Sequence, residues 1–110
     1  MSDIIEIGPY LAGEIPESVS YSFLTIDGDP VFVDGYNAMF QLKRFGDDQS
    51  TTTSSASVNG NTATYNWTET DLQNPGVYQA LFWVGNQANR FASLPIIFRV
   101  KEPIGATPSV

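Results

Sequence analysis

The stretch from residue 71 to residue 84, "DLQNPGVYQALFWV", decides how the chain is read. Asn74-Pro75-Gly76 is a turn signal: Pro75 has no amide proton to give a ladder, and Gly76 relieves turn geometry. The turn runs straight into "VYQALFWV" (77–84), in which Gln79 is the one strongly polar side chain. Period-two geometry places Tyr78, Ala80, Phe82 and Val84 on a single face, as a strand against a core requires. The alternate positions of a half-buried strand should be polar, yet Leu81 and Trp83 stand there. The first set reads as framework. The second asks for another explanation.

Turn signals recur along the rest of the chain, and no segment sustains a helical period. "TATYNW" (62–67), after the strong turn signal Asn59-Gly60, sets Ala63, Tyr65 and Trp67 on one face. "YNAMFQLK" (36–43) alternates cleanly, with Tyr36, Ala38, Phe40 and Leu42 against Asn37, Met39, Gln41 and Lys43. "LPIIFRVK" (94–101) offers Leu94, Ile96, Phe98 and Val100 as its inward set. "IIEI" (4–7), "VSYSFLTI" (19–26) and "VFV" (31–33) complete the strands, with "DGDP" (27–30) as a turn. In "VSYSFLTI" two faces compete, Val19-Tyr21-Phe23 and Leu24-Ile26. "GDDQSTTTSSAS" (46–57) is polar and low in complexity, and reads as a long mobile loop. About seven short strands with frequent turns imply an all-β fold, an immunoglobulin-like β-sandwich of about seven antiparallel strands. The sandwich is expected over residues 1–102. Residues 103–110, with Pro103 and Pro108, are expected as an extended tail.

Composition narrows the function. A chain of 110 residues, 42% of them hydrophobic, holds one domain and can bury roughly two-thirds of its unfolded surface. There is no histidine and no cysteine, which removes the commonest general base, the commonest zinc ligand and any disulfide. The formal net charge is −7, and Lys43-Arg44 is the only adjacent basic pair, so nucleic acid is not an expected partner. No apolar run approaches the roughly 18 residues of a membrane span. "MSDIIEIG" lacks the basic and apolar regions of a secretory signal, so use without secretion is expected. Carboxylates and hydroxyls are the only groups left for catalysis, and nothing pairs them as nucleophile and base. No enzyme activity and no cofactor are expected. Asp27, Asp29 and Asp34 could hold calcium through hard oxygen ligands, but "DGDP" is an ordinary turn and the spacing fits no EF-hand loop. Asp47-Asp48 reads as solvation.

"GNTATYNWTETDLQNPGVYQALFWV" (60–84) resembles the immunoglobulin-like amino-terminal domain of phage baseplate upper proteins and related minor tail proteins. That pattern has a glycine, an alternating strand with Tyr and Trp, an Asp, then Pro-Gly-x-Tyr and an aromatic strand. The matching residues here are Gly60, Tyr65, Trp67, Asp71, Pro75, Gly76, Tyr78 and Phe82. "DGDPVFVDGYNAMFQL" (27–42) resembles the family's Gly-x-Pro-Val segment and the strand after it, so the matches span roughly residues 19–100. The resemblance implies a structural module of the virion, assembled in the bacterial cytoplasm with other virion proteins or copies of itself as partners. This chain stops just after the sandwich, which fits an accessory protein of a tail, neck or capsid surface better than a receptor-binding one.

Physical readings stand beside the resemblance. Tyr78, two residues before Ala80, has the placement of a tyrosine corner, with Ala80 where antibody domains have cysteine. Trp67 is expected to fill the centre of the sandwich. If "YNAMFQLK", "VYQALFWV" and "LPIIFRVK" are neighbours in one sheet, then Met39, Leu81, Trp83 and Ile97 point outward together. Four large apolar side chains on adjacent strands form a patch of the kind that contacts other proteins, and Met and Trp are enriched in interface cores. Cover by the amino-terminal segment or by residues 46–57 is the other reading of this face. A host-surface or carbohydrate-binding module is the alternative function, with Trp83 as its stacking platform.

Overall fold

A computed structural model describes residues 4–45, 51–106 and 108–110. The described chain has no helix and nine strands: β1 (Ile5–Glu6), β2 (Tyr10–Leu11), β3 (Val19–Ser22), β4 (Asn37–Arg44), β5 (Thr51–Asn59), β6 (Thr62–Tyr65), β7 (Gly76–Gly85), β8 (Arg90–Ala92) and β9 (Ile96–Lys101). Hydrogen bonding orders them β1-β9-β7-β4-β5-β6-β3, with β2 also on β9 and β8 on β7. The sheet is mixed rather than all antiparallel, because β1 and β2 both run parallel to β9. These two-residue strands are joined through Gly8-Pro9, so no alternation long enough to read exists in either.

The ladder curls on itself. β5 pairs with β4 through Thr51–Ala56 and with β6 through Ser57–Asn59, so one strand turns the corner between two arms. Consequently the β6 ring of Tyr65 stacks on the β4 ring of Phe40 at 4.2 Å, although β5 lies between them in the ladder. Beyond β6, Trp67 meets Phe98 of β9 edge-on at 5.5 Å and Phe40 at 5.7 Å. The enclosed core is the inward set of the strands: Ala38, Phe40 and Leu42; Tyr78, Ala80, Phe82 and Val84; Ile96, Phe98 and Val100; with Ala63, Tyr65, Trp67 and Leu72 from the facing arm. In the 19–26 segment the Val19-Tyr21-Phe23 face turns inward, and Leu24 and Ile26 stay in water.

Three expectations need correction. "VFV" (31–33), read as a strand, lies in no strand but in the segment between β3 and β4. The segment read as a mobile loop over 46–57 is strand from Thr51 onward, and residues 46–50 lie outside the described residues. Threonine is β-branched and favours a pleated strand, while Ser54, Ala56 and Val58 supply a small half-buried face. Leu94 is exposed rather than inward. Ser93 takes the inward place instead: its amide donates to Phe82 O and its Oγ accepts from the Phe82 amide, each at 2.9 Å. The parity then slips at Leu94-Pro95 before Ile96 resumes it.

The turns are specific. β5 and β6 are joined through Gly60-Asn61, where Gly60 alone has a positive φ, +65°, the pattern of a type II′ hairpin. The Asp34 carboxylate accepts from the Gly60 amide at 2.9 Å and so ties this hairpin to the segment before β4. Asp34 is thereby engaged structurally. Among the described residues no three acidic groups converge as a metal site would require.

Candidate functional site: the outward sheet face

The site begins with β7. Its inward residues fill the core, so Val77, Gln79, Leu81 and Trp83 project from the other side of the sheet. β4 lies antiparallel on one side of it, in a register that puts Met39 opposite Trp83, Gln41 opposite Leu81 and Lys43 opposite Gln79. β9 lies on the other side, with Ile97 opposite Gln79. Met39, Leu81 and Trp83 therefore form a contiguous apolar cluster. Ile97 belongs to the same face but sits one row further along, diagonal to Leu81.

Side-chain chemistry fixes the centre. Trp83 Nε1 donates to Gln41 Oε1 at 2.9 Å, a diagonal bond from β7 to β4 that holds the indole against the sheet. The indole is thus satisfied as a donor while its rings stay only partly buried. Met39 is 37% exposed. Thr53, Asn37 and Arg90 complete a shallow depression around Met39 and Trp83. A second depression borders Ile97 and is lined by Val77, Pro9 and Arg99.

Among the described residues, neither segment proposed as cover lies across this face. β1 and β2 extend the ladder beyond β9, and β5 extends it beyond β4. Both are edge neighbours within the sheet, not a layer on top of it.

The framework residues lie elsewhere. Tyr78 donates its hydroxyl proton to Asn74 O at 2.6 Å, the backbone bond a tyrosine corner makes. Gly76 has φ +151°, and a Cβ there would stand 3.1 Å from Cδ of Arg44, so glycine and the turn of Pro75 set the start of β7. Tyr65 donates to Asp71 Oδ2 at 2.7 Å, and the same oxygen accepts from the Thr68 amide at 2.8 Å. Trp67 is buried among Tyr10, Phe40, Tyr65 and Phe98. Burial pushes the hydroxyl pKa of Tyr10, Tyr65 and Tyr78 above the ordinary tyrosine value; Glu14 adds to this at Tyr10, Asp71 adds to it at Tyr65, and Arg44 opposes it at Tyr78.

Sequence reasoning set Lys43 on the face of Met39 but missed Arg90, Arg99 and Lys101. Lys43, Arg99 and Lys101 have the outward parity of β4 and β9, and Arg90 of β8 borders Trp83. Carrying the alternation on from Ile97 finds Arg99 and Lys101; Arg90 needs the tertiary pairing of β8 with β7. No protein-family model matches the chain, and no curated protein matches it significantly in sequence.

Proposed function

We propose that this is a non-enzymatic structural protein of a phage particle, an immunoglobulin-like sandwich that docks on other virion proteins or on copies of itself. The observation that carries the docking role is the cluster of Met39, Leu81 and Trp83 on a sheet whose opposite side already holds the core. A sheet with a solvated face ordinarily shows polar residues there, and large apolar side chains gathered on it favour a partner.

Three features support the immunoglobulin-like reading. The ladder has facing arms, the long strand β5 passes from one arm to the other, and the Tyr78 hydroxyl closes a corner onto Asn74. The virion role rests on the resemblance over residues 19–100 together with a chain that lacks histidine and cysteine.

The test is Trp83→Asp combined with Leu81→Ser. The domain stays folded, because the inward sets are untouched, and incorporation into particles is lost. Normal incorporation of the folded double variant overturns the docking assignment. Saccharide-dependent quenching of Trp83 fluorescence would replace it with a carbohydrate-binding one.

A further inference from the structure

Charge is segregated on this protein. The chain has five Lys and Arg residues against twelve Asp and Glu. Four of those cations, Lys43, Arg90, Arg99 and Lys101, flank the outward face, whereas Glu6 is the one carboxylate within any described strand. A partner for this face must therefore offer apolar groups with carboxylates beside them.

The segment between β3 and β4 has that character. It is a rigid projection: the Val31 amide donates to Phe23 O at 2.9 Å, the Thr25 amide to Asp29 O at 2.7 Å, and the Asp29 amide to Thr25 Oγ1 at 3.1 Å. Its roots, Phe23 and Val33, are buried in the core. Its far end holds Ile26 fully in water, with Leu24 56% and Phe32 68% exposed. Asp27 and Asp29 are exposed at the same tip, and no Lys or Arg lies between residues 19 and 42. A well-bonded turn that presents three large apolar side chains beside two carboxylates is shaped to insert into something basic and apolar.

We propose that the outward face of one copy receives the 24–32 tip of a second copy, head to tail. This rests on the reading of the face as a docking surface and adds the identity of what docks. Charge complementarity selects this arrangement over a two-fold contact of face with face, which would bring Lys43, Arg90, Arg99 and Lys101 against their own counterparts. Tip and face are different patches, so each contact leaves one of each free and the assembly grows into a ring or a filament.

The test uses two charge-reversed proteins, a tip variant (Asp27→Lys with Asp29→Lys) and a face variant (Lys43→Glu with Arg90→Glu), weighed in solution. Wild type forms species larger than a dimer as concentration rises, and added salt dissociates them. Each variant alone associates about a hundredfold more weakly or worse. Mixed, the wild-type tip of the face variant meets the wild-type face of the tip variant, and the reversed tip and reversed face are again opposite in sign, so the mixture associates where each variant alone does not. A wild type that stays monomeric at every concentration overturns the inference, as does a tip variant that assembles normally or a mixture that stays monomeric. Unchanged melting temperatures show that the variants fold, and the concentration and salt series on wild type decides the matter without them. If Trp83→Asp with Leu81→Ser loses particle incorporation while the tip variant incorporates normally, the face docks on a different protein and only this inference falls.

Discussion

Replacing Tyr65 or Tyr78 by Phe removes one hydroxyl from a buried ring in each case, and the structure ranks the two losses. Tyr65 donates to a carboxylate, Asp71 Oδ2, at 2.7 Å, whereas Tyr78 donates to a backbone carbonyl, Asn74 O, at 2.6 Å. Bonds to charged groups are worth about 1.5–3 kcal/mol and neutral ones about 1 kcal/mol. Asp71 is only half-buried and keeps the Thr68 amide, so its desolvation is not stranded and the Tyr65 loss belongs near the middle of its range, about 2 kcal/mol. Asn74 is exposed, so water replaces the Tyr78 hydroxyl and the loss stays near 1 kcal/mol. At roughly 4 °C per kcal/mol for a domain of this size, Tyr65→Phe lowers the melting temperature by about 8 °C and Tyr78→Phe by about 4 °C. Asp71→Asn keeps an acceptor without the charge and falls between wild type and Tyr65→Phe. Calorimetry or thermal circular dichroism on the three variants reads the order. If Tyr65→Phe costs no more than Tyr78→Phe, the Asp71 carboxylate is not the anchor of the 65–71 corner.

Two further outcomes follow from the core. Trp67 Nε1 is buried without a hydrogen-bond partner among the described residues, so Trp67→Phe gives up ring area but also removes an orphan donor that costs about 1–3 kcal/mol. Denaturant unfolding should show Trp67→Phe losing less than about 2 kcal/mol and Trp67→Ala about 3–5 kcal/mol; equal losses contradict this. Tyr10, Tyr65 and Tyr78 have folded pKa values raised above 10.0, chiefly by burial, so the stability they contribute is complete below pH 10.0 and is lost as pH rises through the folded values. The urea midpoint should therefore hold up to about pH 9 and fall above about pH 10, less steeply in Tyr65→Phe; a midpoint flat through about pH 11 refutes the burial of these hydroxyls.

How far the fold could be read depends on what each strand buries. β4, β7 and β9 carry apolar side chains at every second residue, so their inward faces are legible, whereas their adjacency follows only from an assumed sandwich topology. β5 was not, because its inward residues Ser54, Ala56 and Val58 are small and its outward ones polar. Its place is fixed by two ladders, and backbone pairing leaves no trace in composition. Leu94 departs from the alternation for a related reason: the chain slips at Pro95, and Ser93 satisfies Phe82 instead.

The candidate site divides along the same line. Met39, Leu81 and Trp83 follow from alternation alone. The Trp83–Gln41 bond needs the register of β4 on β7, and Arg90 needs β8 folded back on β7. The 24–32 tip contains "DGDP", an ordinary turn composition, and only its exposure, with Ile26 wholly in water, distinguishes it from a packed turn. Exposure is a property of the assembled chain.

Oxidative footprinting tests the central claim most directly, because Met39 and Trp83 are both oxidisable and neighbours on the outward face. The free protein and the assembled particle are labelled in parallel, with Tyr21, half-buried on the other arm, as an internal reference. The account predicts that Met39 and Trp83 react readily in the free protein and are protected in the particle. Equal reactivity of both residues in the two states would contradict it.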